Sequence, residues 1–316
     1  MEEPAQMMDV RVTKRTKLTP VIDEFRLAPV DGGTLPGFEP GSHITVATPS
    51  GAMRRYSLVN DGTNPTEYVL AIKREPESRG GSSSMHEQAV EGAIISVQAP
   101  DNEFKLVDGE QYILIAGGIG VTPILAMANK LTKLGKPFEL FYVSRSATDA
   151  AYLQEMSAFK KATIHHDEGD PEKVFDFWDR LEKPKKEHIY CCGPQGLMNE
   201  IRALTGHWPE SQVHFEDFNP VVVIRPDDVA FKVTLANDGK TYDVPADRSI
   251  LEALRDAGVP TVSSCETGTC GTCRCRVIEG EVEHRDVVLE DSEKERGDTI
   301  MICVSRANGG DLVIEI

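Results

Sequence analysis

Hydrophobic and polar residues alternate along the first third of the chain. Val10-Arg11-Val12-Thr13, His43-Ile44-Thr45-Val46 and Tyr68-Val69-Leu70-Ala71-Ile72 read as strands with one face turned inward. Between them lie turn clusters: Asp31-Gly32-Gly33, Glu39-Pro40-Gly41, Pro49-Ser50-Gly51 and Asn60-Asp61-Gly62. Short strands at this spacing predict a small antiparallel β-barrel over residues 1–105, interrupted by one helix near 83–90.

From about residue 110 the period changes. Tyr112-Ile113-Leu114-Ile115-Ala116 is a continuous apolar run, as expected of a strand buried on both faces. A glycine turn and a helical pattern, 124–134, follow it. Further strands are predicted at 138–143, 162–165 and 188–192, with helices at 149–159, 171–181 and 195–204. Strands alternating with helices predict a parallel-sheet α/β domain over 106–220. Residues 221–229 carry Pro226 and two acids, which suits a linker, although Val221-Val222-Val223-Ile224 is apolar enough to pack on a neighbour. The last segment, 230–316, opens with strands at 231–235 and 241–244 around Asn237-Asp238-Gly239. A helix at 249–257 begins with Ser249 and Glu252 in capping-box spacing. Strands near 276–278, 299–302 and 312–316 complete an α+β pattern.

Charge narrows the range of partners. The 316 residues carry a formal net charge of −17, which disfavours nucleic acid and anionic membrane. Residues 226–316 hold 19 acids against 10 bases, an excess of nine negative charges. That surface suits a partner with a basic docking face, or simple solubility, equally well. The acidic start, Met1 to Asp9, has no apolar core, so no signal peptide is expected. No apolar run has the length of about 18 residues that a membrane span needs. Seven cysteines, an odd number, suit a reducing cytoplasm.

Cysteine spacing carries the sharpest chemical signal. Cys265, Cys270 and Cys273 stand at C-x4-C-x2-C, and Cys303 follows 30 residues later. That is the plant-type spacing for a 2Fe–2S cluster, whose irons need four converging thiolates. A structural zinc site would show two C-x2-C pairs, and here only Cys270 and Cys273 form one. Cys275 reads as a small strand residue. Ser263, Ser264, Gly268, Thr269, Gly271 and Thr272 are small enough for a backbone wrapped closely around the cluster.

Five weaker signals lie upstream. Arg54-Arg55-Tyr56-Ser57 offers a cation for a phosphate, an aromatic face and a hydroxyl, or is a plain surface strand. Arg79-Gly80-Gly81-Ser82-Ser83-Ser84 enters a helix, where free N–H groups favour an anion, or is a loop. Gly117-Gly118-Ile119-Gly120-Val121-Thr122-Pro123 joins strand to helix as in a nucleotide-binding βαβ unit, although it lacks the G-x-G-x-x-G fingerprint. Ser144-Arg145 and Cys192-Gly193-Pro194 fall at carboxyl ends of strands, where such sheets bind ligands.

Arg54-x-Tyr56-Ser57, the glycine turn, Cys192-Gly193-Pro194 and the four cluster cysteines occur in an order that resembles the phthalate dioxygenase reductase family, along essentially the whole chain. The resemblance implies a multidomain fold: an antiparallel β-barrel flavin domain, an α/β parallel-sheet nucleotide domain and an α+β (β-grasp) plant-type ferredoxin domain. It implies that Arg54, Tyr56 and Ser57 hold the flavin, with Ser57 near its reactive N5 and Lys73 adding a backbone contact. It places the FMN phosphate on Gly80, Gly81 and Ser82, and the nicotinamide dinucleotide along Gly118, Gly120 and Thr122. Cys192 would face the reacting nicotinamide, and Phe218 would cover the flavin face that NADH must reach. Cys265, Cys270, Cys273 and Cys303 would ligate the cluster. FMN is implied rather than FAD, and NADH rather than NADPH, although Arg145 is also placed for a 2′-phosphate.

The implied activity is electron transfer from NADH through FMN to the cluster. The implied acceptor is a terminal Rieske-type aromatic-ring oxygenase, phthalate dioxygenase by resemblance, served by a monomer. A reductase for an aromatic O-demethylase and a non-catalytic iron–sulfur sensor are the alternatives.

Overall fold

The computed structural model describes residues 7–75, 80–218, 225, 227–263, 266, 268 and 271–316. The chain forms two compact units, Met1–Phe218 and Asn219–Ile316. Among the described residues no helix is long and apolar enough to cross a membrane.

Six strands open the first unit: β1 (Met7–Lys17), β2 (Ile22–Pro29), β3 (His43–Ala47), β4 (Met53–Ser57), β5 (Tyr68–Lys73) and β6 (Ile94–Gln98). They pair antiparallel in the order β4-β3-β6-β1-β2-β5. A bridge between Leu58 and Leu70 joins the two edges and closes the barrel. The alternation has a direct packing consequence: Val10, Val12, Phe25, Leu27, Ile44, Val46, Leu70 and Ile72 share one sealed core. Helix α1 (Gly81–Gln88) buries Met85 in the same core.

The remainder of this unit contains β7 (Gln111–Gly117), α2 (Val121–Leu134), β8 (Phe138–Ser144), α3 (Leu153–Ser157), β9 (Ala162–His166), α4 (Trp178–Leu181), β10 (Glu187–Cys192), α5 (Gln195–Thr205) and β11 (Val213–Glu216). The sheet is wholly parallel, in the order β11-β10-β7-β8-β9. Its two faces carry separate cores. Helix α2 packs Val121, Ile124 and Leu131 with Leu114 and Leu140. Helix α5 packs Met198 and Ile201 with Ile113, Ile115 and Ile189.

Two predicted helices are much shorter than expected. In the segment expected as helix 149–159, only 153–157 is α-helical, because Tyr152 takes a left-handed φ of 55° and starts the helix late. In the segment expected as helix 171–181, Pro171–Lys173 is a 3₁₀ turn and Val174 is extended before α4.

The second unit contains β12 (Phe231–Leu235), β13 (Thr241–Val244), α6 (Ile250–Asp256), β14 (Arg274–Glu279), β15 (Val282–Glu283), α7 (Asp291–Arg296), β16 (Thr299–Met301), β17 (Arg306–Ala307) and β18 (Leu312–Glu315). The main sheet runs β13-β12-β18-β14-β16. Strands β12 and β18 are parallel and the other pairs antiparallel, with Leu251 and Leu254 of α6 buried on the sheet. This is the expected α+β grasp. The Ser249–Glu252 capping box forms at α6. Helix α7 buries no residue, so it leaves no amphipathic signal in the sequence.

Candidate functional site

Three parts of the first unit carry chemistry-bearing side chains. The first is the meeting of β4 with the start of α1. Gly80 caps α1 in a left-handed conformation, φ 89°, without a side-chain cap. The Arg54 side chain crosses this helix start: a Cβ on Gly81 would lie 2.8 Å from Arg54 Nε. A guanidinium beside a helix N-terminus is an anion cradle. Ser82 is present in it, its Oγ accepting from the Glu75 N–H at 3.1 Å. Arg79 lies outside the described residues.

The second part is the glycine contact between the β7–α2 and β10–α5 turns. Gly118 has a positive φ of 53°, and Gly118–Gly120 form a 3₁₀ turn into α2. A Cβ on Gly120 would fall 2.2 Å from the Cys192 carbonyl oxygen, and one on Gly193 would fall 2.9 Å from Gly117 Cα. Only glycines allow the two turns this approach. They lie at the carboxyl ends of β7 and β10, where the strand order reverses, which is the ligand-binding position of such a sheet. Thr122 is buried there, its Oγ1 donating to the Ile119 carbonyl at 3.1 Å. Arg145 is exposed beyond the end of β8.

The third part joins the first two, and sequence reasoning missed its centre. Glu216 ends β11 beside Cys192, its register partner on β10. Its carboxyl Oε2 is fully enclosed without a hydrogen-bond partner, as are Ser57 Oγ and Tyr56 Oη. Burial pushes the Glu216 carboxyl up to about 8, with Arg55 and the Ser57 hydroxyl opposing that shift. Ser57 and Glu216 therefore approach each other without closing a hydrogen bond of normal geometry. Burial also raises the Cys192 thiol well above its usual range, with Glu216 adding to the rise. Cys192 is thus a neutral, polarisable wall rather than a nucleophile. Burial raises Tyr56 too. Arg55 is fixed by the Glu103 carboxylate at 2.7 Å and by His43 Nε2 at 2.6 Å. The available clue was an acid on the otherwise half-buried β11, two residues before Phe218. Phe218 itself is 36% exposed. Lys73 ends β5 and pairs with Glu75 at 2.7 Å.

These groups fit a flavin. Buried hydroxyls without partners are rare in proteins. A ring whose heteroatoms both donate and accept would satisfy Tyr56 and Ser57 together, and the Arg54 cradle would hold its phosphate.

In the second unit, Cys273 and Cys303 are both buried in the core. The β14–β16 pairing brings them to neighbouring strand ends, with the Ile302 N–H donating to the Cys273 carbonyl at 3.4 Å. Cys265 and Cys270 lie outside the described residues. Glu266, Gly268 and Gly271 have φ values of 54°, 76° and 78°, as a tightly wrapped loop requires. The Val287 N–H ties that loop down through the Gly268 carbonyl, at 3.1 Å. Two enclosed thiols beside such a loop suit a cluster held by four thiolates. Burial pushes Cys275 up to about 12, which fits a strand thiol that is not a ligand.

The 2Fe-2S iron-sulfur cluster binding domain family matches residues 233–308, and the oxidoreductase NAD-binding domain family matches residues 114–203. The chain is 44% identical over 313 residues to phthalate dioxygenase reductase of Burkholderia cepacia, covering 97% of each. The chain belongs to the phthalate dioxygenase reductase family. It is also 38% identical over 317 residues to a vanillate O-demethylase oxidoreductase of Pseudomonas putida, covering 98% of this chain and 100% of that one. A solved phthalate dioxygenase reductase structure, described as modular for electron transfer from pyridine nucleotides to [2Fe-2S], superposes with a TM-score of 0.88 over 98% of both chains. Like its family, the chain is an electron-transfer oxidoreductase with a flavin-binding barrel, an NAD-binding sheet and a 2Fe–2S domain. FMN, NADH and the cluster, expected from the sequence, are the cofactors of the phthalate dioxygenase reductase family.

Proposed function

We propose that this chain carries electrons from NADH through FMN to its cluster and on to a terminal Rieske-type aromatic-ring oxygenase, phthalate dioxygenase being the first candidate, and that it works as a monomer. The observation that supports this most is the convergence of Ser57, Cys192 and Glu216, drawn from the barrel and from the parallel sheet. One wall suits a flavin and the other a nicotinamide. When bound, the flavin supplies the ability to accept a hydride pair and to pass electrons on singly.

The chain's own groups would do the rest. Arg54, with the backbone of Gly80 and Gly81 and the hydroxyl of Ser82, would bind the FMN phosphate. Tyr56 would lie against the ring, Ser57 would hydrogen-bond its edge and the Lys73 backbone would add a contact. Gly118, Gly120 and Thr122 would seat the dinucleotide, with Arg145 nearest its outer end. Reacting atoms must be brought to about 3–3.5 Å, which is a matter of positioning rather than of acid–base strength. Cys192 and Phe218 would set that approach and exclude water. Glu216 would hold a proton on its carboxyl at neutral pH, so the site gains no negative charge. Cys265, Cys270, Cys273 and Cys303 would ligate the cluster.

The test is coupled turnover. Purified protein, NADH, dioxygen and phthalate dioxygenase should together hydroxylate phthalate. The similarity to a vanillate O-demethylase oxidoreductase favours a second acceptor, tested in the same assay with that oxygenase. Turnover with neither would refute the acceptor assignment. A flavin-free protein that NADH cannot reduce would refute the reductase reading in favour of a sensor.

A further inference from the structure

Helix α1 carries the phosphate cradle on its first turn, yet it is only eight residues long. A helix this short does not hold its own position in water, and contacts with the rest of the fold must place it. Met85 fixes it to the barrel core, and the Ser50 N–H donates to Ser84 Oγ at 3.2 Å. A third contact leaves its last turn for β5. His86 Nε2 lies 2.9 Å from the Ile72 carbonyl oxygen. A carbonyl can only accept, so Nε2 carries the ring proton and donates it.

The His86 side chain is 8% exposed, and its neighbours fix the orientation of the ring. Phe25 stands edge-on to it, with centroids 6.1 Å apart and planes at 81°. Nδ1 faces Asp23 Oδ2 at 3.5 Å, and Arg15 already meets that oxygen at 2.6 Å. Asp23 is the register partner of Ile72 across the β2–β5 pair, so His86 is seated on this pair. Among the described residues no other side-chain hydrogen bond joins α1 to β5 itself. Two links reach the chain just beyond that strand. The Glu75 N–H donates to Ser82 Oγ at 3.1 Å. Arg74 pairs with Glu87 at 2.8 Å, but both side chains are half exposed, and such a pair contributes little.

Ile72 directly precedes Lys73, the last residue of β5, whose backbone is assigned to the flavin ring. The His86 bond therefore joins the element that would hold the phosphate to the element that would lie against the ring. A ligand gripped at two points gains from the second grip only where the two stand at the ligand's own span. We propose that His86 is a positioning residue for the flavin: by tying α1 to β5 it fixes the distance between the phosphate cradle and the ring contact, and so sets the affinity for FMN. The proposal rests on the flavin placement in the reductase reading above.

The test compares FMN with riboflavin, which has the same ring and no phosphate. Dissociation constants are measured by flavin fluorescence on the full-length, cluster-bearing protein after its flavin has been dialysed away. Wild-type protein should bind FMN more tightly than riboflavin. His86→Phe keeps a ring beside Phe25 and loses the donor. It should bind FMN roughly 2- to 10-fold more weakly, the worth of one hydrogen bond, and riboflavin as the wild type does. His86→Gln, whose amide nitrogen can reach the Ile72 carbonyl, should recover most of the FMN affinity. Unchanged FMN affinity in His86→Phe overturns the proposal. So does an equal loss for riboflavin, which would make His86 a support of the ring pocket alone. So does a His86→Gln protein no tighter than His86→Phe. Wild-type protein that binds the two flavins equally also overturns it, because no second grip then exists to be placed. Wild-type protein that binds neither flavin would instead overturn the reductase reading.

Discussion

Gly120 and Cys192 touch through their backbones: a methyl group on Gly120 would sit 2.2 Å from the Cys192 carbonyl oxygen. Gly120 has an ordinary φ of −60°, so the reason for glycine here is space rather than conformation. Gly120→Ala should therefore force the two turns apart. Overpacking of this kind costs about 1–3 kcal/mol. We expect the Michaelis constant for NADH to rise by roughly 5- to 150-fold, since each 1.4 kcal/mol is about a factor of ten. Flavin content should be unchanged, because the barrel is not involved. Steady-state ferricyanide reduction against NADH concentration checks this.

Arg54 lies across the start of α1, and removing it should weaken flavin retention. A hydrogen bond to a charged group contributes about 1.5–3 kcal/mol. Arg54→Ala should lower FMN affinity by roughly 10- to 150-fold. Fluorescence of flavin released on dilution measures it. Unchanged affinity would place the phosphate elsewhere.

Glu216 gives a pH signature. Its folded-state carboxyl titrates near 8, against an ordinary value of 4.5, and burial is the first cause. The folded protein therefore holds a proton that the unfolded chain has released. Between those two values stability falls as pH rises, and the loss is complete above the upper one. Glu216→Gln removes this dependence. The melting temperature of the variant minus that of the wild type should become steadily more positive from pH 5 to pH 8 and then level off. A flat difference across that range would show that Glu216 is ionised in the folded protein.

Cys303→Ser removes a buried sulfur from the second unit while leaving the first intact. Iron and acid-labile sulfide should be lost, and cytochrome c reduction with them. Ferricyanide reduction by the flavin should survive at close to the wild-type rate. Loss of both activities would mean that electrons leave by another route or that the fold has failed.

Much of this was legible in the residues, for identifiable reasons. The barrel and the parallel sheet announce themselves because strands such as Val10–Thr13 and Tyr112–Ala116 show their periods directly. The Ser249 capping box is a local signal and forms as read. Helix α7 was invisible because its side chains are all charged or polar and none is buried. The shortened helices failed where one backbone angle, at Tyr152 or Val174, overrode a favourable pattern. Arg54, Tyr56 and Ser57 could be picked out as neighbours on one strand, whereas Glu216 could not. Its role comes from residues 24 and 159 positions away in sequence, Cys192 and Ser57, and only folding brings those together.

The central claim is a conversion of two-electron input to one-electron output within one polypeptide. An anaerobic titration of the purified protein with NADH, followed by absorbance, tests it most directly. The oxidised spectrum should show flavin bands over the broader cluster absorption, and both should bleach as NADH is added, with the reduced cluster appearing by electron paramagnetic resonance. A protein holding zinc in place of iron, or one whose cluster stays oxidised while its flavin is fully reduced, would contradict the account.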